Sequence, residues 1–549
     1  MSFRPFPLCA ALCLLLTACH GDLGPDEGDF EEKEALASCK VKGGEGEPSA
    51  ACGTLEDFDL SDCDLDFSDT ARSGIWNVQL RLERADGTLT YDPTHFSVGY
   101  ADRPGAINGA ELDSSSIVEH TDDVFRITRG HTIEGRPFGS TLVGCKARGS
   151  DRLEGCYVSC NNEGVRTRVG TFYAQRITGV PEDRAQRGLR LISETGIAAM
   201  TEGAFRDLHV TPVDVYVTKG HAYVVSVYSG LHVFDVRDPA HPVLTARAEY
   251  FRRNDAGGWI AAGGEHDLYG RYWNGVWAKG DALYVATSDR GVRVFDISDA
   301  AHPRFVRDLS APPTACTSGC TTGIHTVFVD GDRLYAMKTD PTPEVLIYDV
   351  TRPLEPVQVN TFSTFEGVTQ ASYIHDAFAF EGRLYANYWD VGLVLADVRD
   401  VSEPRIKEWS RYTYPNAKSH AVAVGRIKDR VIAFEGGEQW GAHLRVLDVT
   451  DTKNIQRIGE YKLDPHVSIH NLQLQGERLY VAYYQHGVRV LDVSNPEDPE
   501  EVGSFGTWRE SDVTNGYSFY EGAIGIRVNG DGYIYAIDRA RGLLILKEE

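Results

Sequence analysis

Four histidines, His325, His375, His420 and His470, recur at intervals of 50, 45 and 50 residues. Asn274 extends the series by a further 51 residues toward the N-terminus. Neutral imidazole binds iron, copper, nickel and zinc through either ring nitrogen. Imidazoles carried at one position of successive repeats can therefore gather on one transition metal. Two plainer outcomes have the same spacing. Duplication alone copies a residue into equivalent positions, where each ring would bond the backbone of the next unit. Alternatively, the rings make a polar mouth for a ligand without metal. Residue type and spacing leave all three open. Other residues narrow the chemistry. There is no Gly-rich phosphate loop, no G-x-S-x-G elbow and no H-E-x-x-H pair. A hydrolase reading therefore lacks its nucleophile or metal-water signature. Asp235, Asp296, Asp349, Asp397, Asp448 and Asp492 recur as faithfully, each ending an apolar run before a turn. A carboxylate in that place accepts backbone N–H bonds and is read as structural.

The elements that must position the histidines are repeats. GVRVFDISDAAHP from Gly291 returns as GLHVFDVRDPAHP from Gly230, GLVLADVRDVSEP from Gly392 and GVRVLDVSNPEDP from Gly487. Each is an alternating strand that ends in a turn. Before each lies an apolar strand, a polar turn and a strand containing Leu-Tyr, as in TVFVDGDRLYAM from Thr326. Seven copies start near Val213, Asn274, His325, His375, His420, His470 and Ile524. Many short antiparallel strands at this period predict a seven-bladed β-propeller over 187–549. The strand near Leu189 to Ser193 is expected to close the ring against Leu543 to Leu546, removing an exposed sheet edge. With the pattern G-[VL]-x-[VI]-x-D-[VI]-[ST]-x-P, the chain resembles the LVIVD-repeat proteins of bacterial surfaces. That resemblance implies the propeller and carries no catalytic residue with it.

In a propeller the first strand of each blade lines the central channel, so the histidines would face its mouth. Carotenoid-cleaving oxygenases look similar in plan, four His from different blades holding iron. Long connections on the same face bring candidate rim residues: Trp259, His266 and Tyr272, then Trp389, Trp440, Tyr484 and His486, beside Asn274. Aromatic residues round a polar mouth suit a protein, peptide or carbohydrate ligand.

The N-terminal third reads differently. Residues 1–19 have Arg4, an apolar run Leu8 to Leu16 and then L-T-A-C, which resembles a bacterial lipobox. The resemblance implies cleavage before Cys19, its acylation, and attachment to the cell envelope at the outer membrane or cell surface. Residues 20–53 are acidic and Gly-rich and are expected to form a flexible tether. Residues 54–180 alternate as short strands and predict a small β-barrel or sandwich; its His95 and His120 read as solvated. Cys39, Cys52, Cys63, Cys145, Cys156, Cys160, Cys316 and Cys320 remain after the signal, an even number in an oxidising compartment, and are disulfide candidates. A formal charge of -25 repels nucleic acid.

The sequence thus predicts an all-β chain, a seven-bladed propeller preceded by a small disulfide-stapled β domain. Its expected role is a surface-anchored recognition or scaffold module. The alternative is a metal-dependent, oxidative enzyme built on the four-His cluster, with a transition metal as its only cofactor.

Overall fold

The computed structural model describes Asp26, Gly28, Asp29 and residues 35–549, apart from 100–105, 108–109, 112–115, 134–135, 179–185, 198–210, 228, 249–250, 254–258, 262–272, 289, 310–322, 340–342, 365–372, 403–405 and 511–519. The expected signal, Cys19 and the Cys316–Cys320 pair lie outside the described residues.

The N-terminal region is one nine-stranded antiparallel sheet. Its order runs Ala110–Glu111, Ala106–Ile107, Leu89–Val98, Gly74–Glu83, Arg166–Arg176, Arg152–Cys160, Arg136–Ala147, Phe125–Ile133 and Ile117–His120. The end strands are not paired with one another. Strand alternation sends Trp76, Val78, Leu80 and Leu82 into one core with Phe96, Ile127, Leu142 and Phe172. The other face carries a second core around the cysteines. Disulfides Cys39–Cys156, Cys52–Cys160 and Cys63–Cys145 tie the preceding segment onto this face.

Those staples correct the expectation of a flexible tether. Residues 35–53 are bound to the sheet by Cys39 and Cys52, and Lys40–Val41 pairs with Phe58–Asp59. Upstream, Asp29 is buried and Asp26 half-buried against the propeller. Asp29 lies 2.7 Å from His443 Nδ1 and 3.2 Å from an Arg445 nitrogen, and Gln439 donates to it at 3.1 Å. Asp26 accepts from Arg445 Nε at 2.7 Å and from the Tyr412 hydroxyl at 2.6 Å. An acidic stretch solvates only when nothing cationic waits for it; here a buried guanidinium does. His95 is also buried rather than solvated, and burial pushes its pKa down to about 3.

Among the described residues the remainder forms seven antiparallel blades, six of four strands and blade 6 of five, where Gln186–Arg187 pairs outside Glu500–Phe505. Blade 1 runs Pro212–Thr218, His221–Ser226, Gly230–Asp235 and Val243–Ala248; the first strands of blades 2 to 5 are Trp273–Lys279, Ile324–Asp330, Ile374–Phe380 and Ser419–Ile427. Blades 6 and 7 start at Leu472–Gln475 and Ala523–Val528. The recurrent aspartates each accept a backbone N–H two residues on, for example Ser298 N to Asp296 at 2.8 Å and Ser494 N to Asp492 at 2.9 Å. Those bonds make the turn into the outer strand. Leu189–Thr195 is the outer strand of blade 7, pairing Leu191 with Leu546 and Thr195 with Leu543, antiparallel to Gly542–Glu548. Ring closure thus joins chain segments more than 340 residues apart. Deleting residues 187–195 should bare the edge of blade 7. The expected result is aggregation or loss of a cooperative thermal transition; an unchanged melt would refute the role of closure.

Candidate functional site

The first strands surround a cavity of about 690 Å³ lined from all seven blades. One local device aims the histidines into it. The ladder between first and second strands slips between Ile324 and Val327, between Ile374 and Asp376, and between Ser419 and Ala421. His325, His375 and His420 therefore fall in bulges, outside the pairing. A bulge re-aims a side chain that regular pleating would have turned against the neighbouring blade. Blade 2 slips in the same place, around Asn274.

The four rings form a continuous arc. Ring centroids lie 4.1 Å apart for His325–His375, 3.9 Å for His375–His420 and 4.2 Å for His420–His470. Nε2 of His325 is 2.9 Å from Nε2 of His375, and the Asn274 amide nitrogen is 3.2 Å from His325 Nε2. Glu438 completes the group. Its carboxylate oxygens lie 3.5 Å from His420 Nε2, 3.6 Å from His470 Nε2 and 3.7 Å from His375 Nε2. The Tyr484 hydroxyl donates to Glu438. His470 Nδ1 is 2.6 Å from the Ile524 carbonyl. A carbonyl only accepts, so Nδ1 carries the proton and Nε2 presents its lone pair to the cavity.

Electrostatics keep the rings available. Burial holds His325 and His470 near pKa 3. Burial, then the neighbouring rings, hold His375 and His420 well below the ordinary value. All four are neutral at physiological pH. Burial pushes Glu438 up to about 7 against the opposing Tyr484 bond. Nδ1 of His375 and both ring nitrogens of His420 are buried without a hydrogen-bond partner among the described residues. Such orphans cost about 1–3 kcal/mol each unless something binds them.

The spacing fits a transition metal. Two ligand atoms on bonds of about 2.1 Å lie roughly 3.0 Å apart at a right angle and roughly 3.4 Å apart at the tetrahedral angle. His375, His420 and Glu438 each bring a ligand atom within 4.8 Å of the others.

The candidate rim residues separate into groups. Trp389 stacks on His375 at 5.5 Å, and Tyr484 packs on His470 at 5.0 Å; both line the cavity with Asn274. Trp440 and His486 are corrected. Trp440 is buried against Tyr173 of the N-terminal sheet, 5.7 Å away, and His466. His486 bonds Asp464 at 3.1 Å beside the same interface. The N-terminal sheet packs over both. Trp259 sits in a short hairpin, Phe251–Arg253 with Trp259–Ala261; His266 and Tyr272 lie outside the described residues.

Sequence spacing missed Glu438. It follows the second strand of blade 5, Arg430–Gly437, not a first strand, so no column of equivalent positions contains it. The only signal was local: EQWGAH from Glu438 replaces the short turns of the sister copies with a longer loop that opens on an acid.

Residues 213–249, 270–309 and 468–507 match the LVIVD repeat. The chain carries LVIVD repeats. The matches coincide with blades 1, 2 and 6, and the repeat on a seven-bladed propeller is compatible with a binding or scaffold role. No curated protein matches the chain. It is similar to solved structures titled as the computationally designed Ika8 protein (10% identity, 62% of this chain and 97% of that one, TM-score 0.39). It is also similar to U3-55K (10%, 66% and 98%, 0.44) and to a chain of the Mitotic Checkpoint Complex (10%, 68% and 97%, 0.43).

Proposed function

We propose that the protein is an envelope-anchored binding module whose channel holds one divalent transition metal on His325, His375, His420, His470 and Glu438. Small ligands reach the metal through the same cavity. The observation that carries this reading is the convergence of His375, His420 and Glu438, whose ligand atoms lie within 4.8 Å of one another, with His325 and His470 continuing the arc on either side and buried ring nitrogens left unbonded. A blade-packing role would turn the ring nitrogens to neighbouring backbone, as His470 Nδ1 is turned to Ile524, whereas both ring nitrogens of His420 are left unbonded. The nitrogen-rich donor set suits iron, copper, nickel or zinc rather than calcium or magnesium. An oxidative reaction on the bound ligand is the second reading; the cavity beside the cluster, wide enough for a small molecule, favours it. Elemental analysis of the purified full chain tests the metal: about one equivalent is expected, and a chain that stays metal-free after incubation with each of the four ions overturns the proposal.

The anchor is the other half of the proposal. It rests on the L-T-A-C sequence that ends at Cys19. Cys19→Ser should release the protein from the membrane fraction; a variant that remains with the membrane refutes lipidation at that residue.

A further inference from the structure

Three residues beyond the histidine level, the same cavity changes character. Tyr216, Trp277, Phe328 and Phe378, from blades 1 to 4, form an arc with successive ring centroids 5.3, 4.7 and 4.4 Å apart. Arg527 of blade 7 faces this arc. Its Cζ lies 4.2 Å from the Trp277 ring and 4.8 Å from the Tyr216 ring. Its Nε donates to the Val215 carbonyl at 3.3 Å. A guanidinium stacked by its face and tied by Nε keeps its Nη edge for a planar, two-oxygen acceptor.

The neighbouring acids do not supply that acceptor. Asp214 accepts from Val276 N at 3.0 Å and Val215 N at 2.8 Å. Asp376 accepts from Ala377 N at 2.8 Å and the Thr326 hydroxyl at 3.1 Å. Both are turned to the backbone or to a neighbouring blade, and neither forms an ion pair with Arg527. Burial raises the Asp214 carboxyl, which weakens the charge it returns. Burial also lowers the Arg527 pKa, so this cation is desolvated more than it is compensated. Buried cations are normally paired.

We propose that this part of the channel is a binding site for a small carboxylate with an aromatic body. The Arg527 edge takes the carboxylate, and the Trp277, Phe328 and Phe378 rings take the body. The Arg527 site does not depend on the metal; only its placement beside one rests on the function proposed above. Two sources share this chemistry, a free aromatic acid and the C-terminal residue of an aromatic peptide. Aromatic walls give the area, and one charged bond gives the polarity: benzoate should bind and benzylamine, of the same size and opposite charge, should not.

Isothermal titration of the full chain, stripped with chelator and again after metal loading, tests this with benzoate, N-acetylphenylalanine and benzylamine. Saturable binding of benzoate or N-acetylphenylalanine is expected in both states, and the tighter of the two names the source. Arg527→Gln should weaken it by about tenfold or more, the worth of one charge-assisted bond. Arg527→Lys should fall between, because it keeps the charge and loses the fork. Should Arg527→Gln fail to fold by circular dichroism, Arg527→Lys and Trp277→Leu decide. Equal binding of benzylamine, unchanged affinity in the folded variants, or no binding of either acid at millimolar concentration overturns the site. Binding to stripped protein alongside a failed metal analysis would leave this site standing without its neighbour.

Discussion

His375→Ala and His420→Ala should each lower the affinity for the proposed transition metal by roughly 30–200-fold. The magnitude follows from the energy of a protein metal site. About 10–16 kcal/mol shared over five ligands gives each some 2–3 kcal/mol. These two rings are central in the arc, and their Nε2 atoms lie within 3.7 Å of Glu438. Removing either takes a donor from the middle of the arc and opens a gap beside Glu438. The pH dependence has a fixed sign. The histidines carry no second proton in the neutral range, since burial keeps His325 and His470 near pKa 3 and holds His375 and His420 well below the ordinary value. They do not compete with metal in the neutral range. Glu438 holds its proton up to about pH 7. Metal must displace that proton at lower pH, so affinity should rise about tenfold per pH unit up to pH ~7 and level off above. Glu438→Gln should flatten the slope. A competition titration with a chromophoric chelator reads all of this; alanine variants with wild-type affinity, or a slope that survives Glu438→Gln, would sink the ligand assignment.

The second large effect lies outside the channel. Asp29→Ala should destabilise the propeller by about 3–5 kcal/mol, the cost of stripping one partner from a buried ion pair. The Arg445 side chain is fully buried. Its face rests on the Tyr414 ring at 3.6 Å, and its nitrogens meet Asp26 and Asp29. The third acid nearby, Glu435, is pushed up to about 7 by burial, and it accepts from Ser419 and Tyr414. It returns little charge. Burial alone would raise Asp29, but Arg445 and His443 outweigh it and hold its carboxyl far below the usual range. Asp29 therefore stabilises the fold fully above the ordinary carboxylate pKa, and the contribution fades only in strong acid. The check is the denaturation midpoint of Asp29→Ala against wild type. Arg445→Met in the same chain should recover most of the loss, since it removes the stranded cation. A single variant with an unmoved midpoint would show the contact to be decorative. Because Gln439 joins Asp29 and adjoins Glu438, the variant should also cost the metal site on the order of tenfold, a typical effect of an outer partner.

The propeller was legible because its signals are periodic. Alternation, the recurrent Asp turn and the Leu-Tyr strand repeat at every blade, and a repeat names its own architecture. The histidine column was legible for the same reason. What lay outside the columns was not. Glu438 comes from one irregular hairpin, and Arg527 stands where sister blades carry Tyr216, Trp277, Phe328 and Phe378, so a column reading averages it away. Trp440 and His486 sit in hairpins that look equivalent to the one holding Trp389. The N-terminal sheet distinguishes them by covering two of the three, and no local pattern encodes that contact. The acidic segment failed in a similar way. Composition reports that Asp26 and Asp29 prefer water; it says nothing of Arg445, more than 400 residues away, which competes with the water.

The clasp of Asp26 and Asp29 also sets a length. Only six residues, seven Cα-to-Cα steps, separate Cys19 from Asp26. Fully stretched at about 3.3–3.6 Å per residue, they reach some 25 Å. An acyl chain on Cys19 would then be a short leash fastened to blade 5, next to the hairpin that bears Glu438, rather than a long rope ending at the first domain. Such a leash permits little tumbling. The channel mouth would hover within one protein radius of the bilayer, and molecules partitioned at the lipid surface would meet it before those diffusing in bulk.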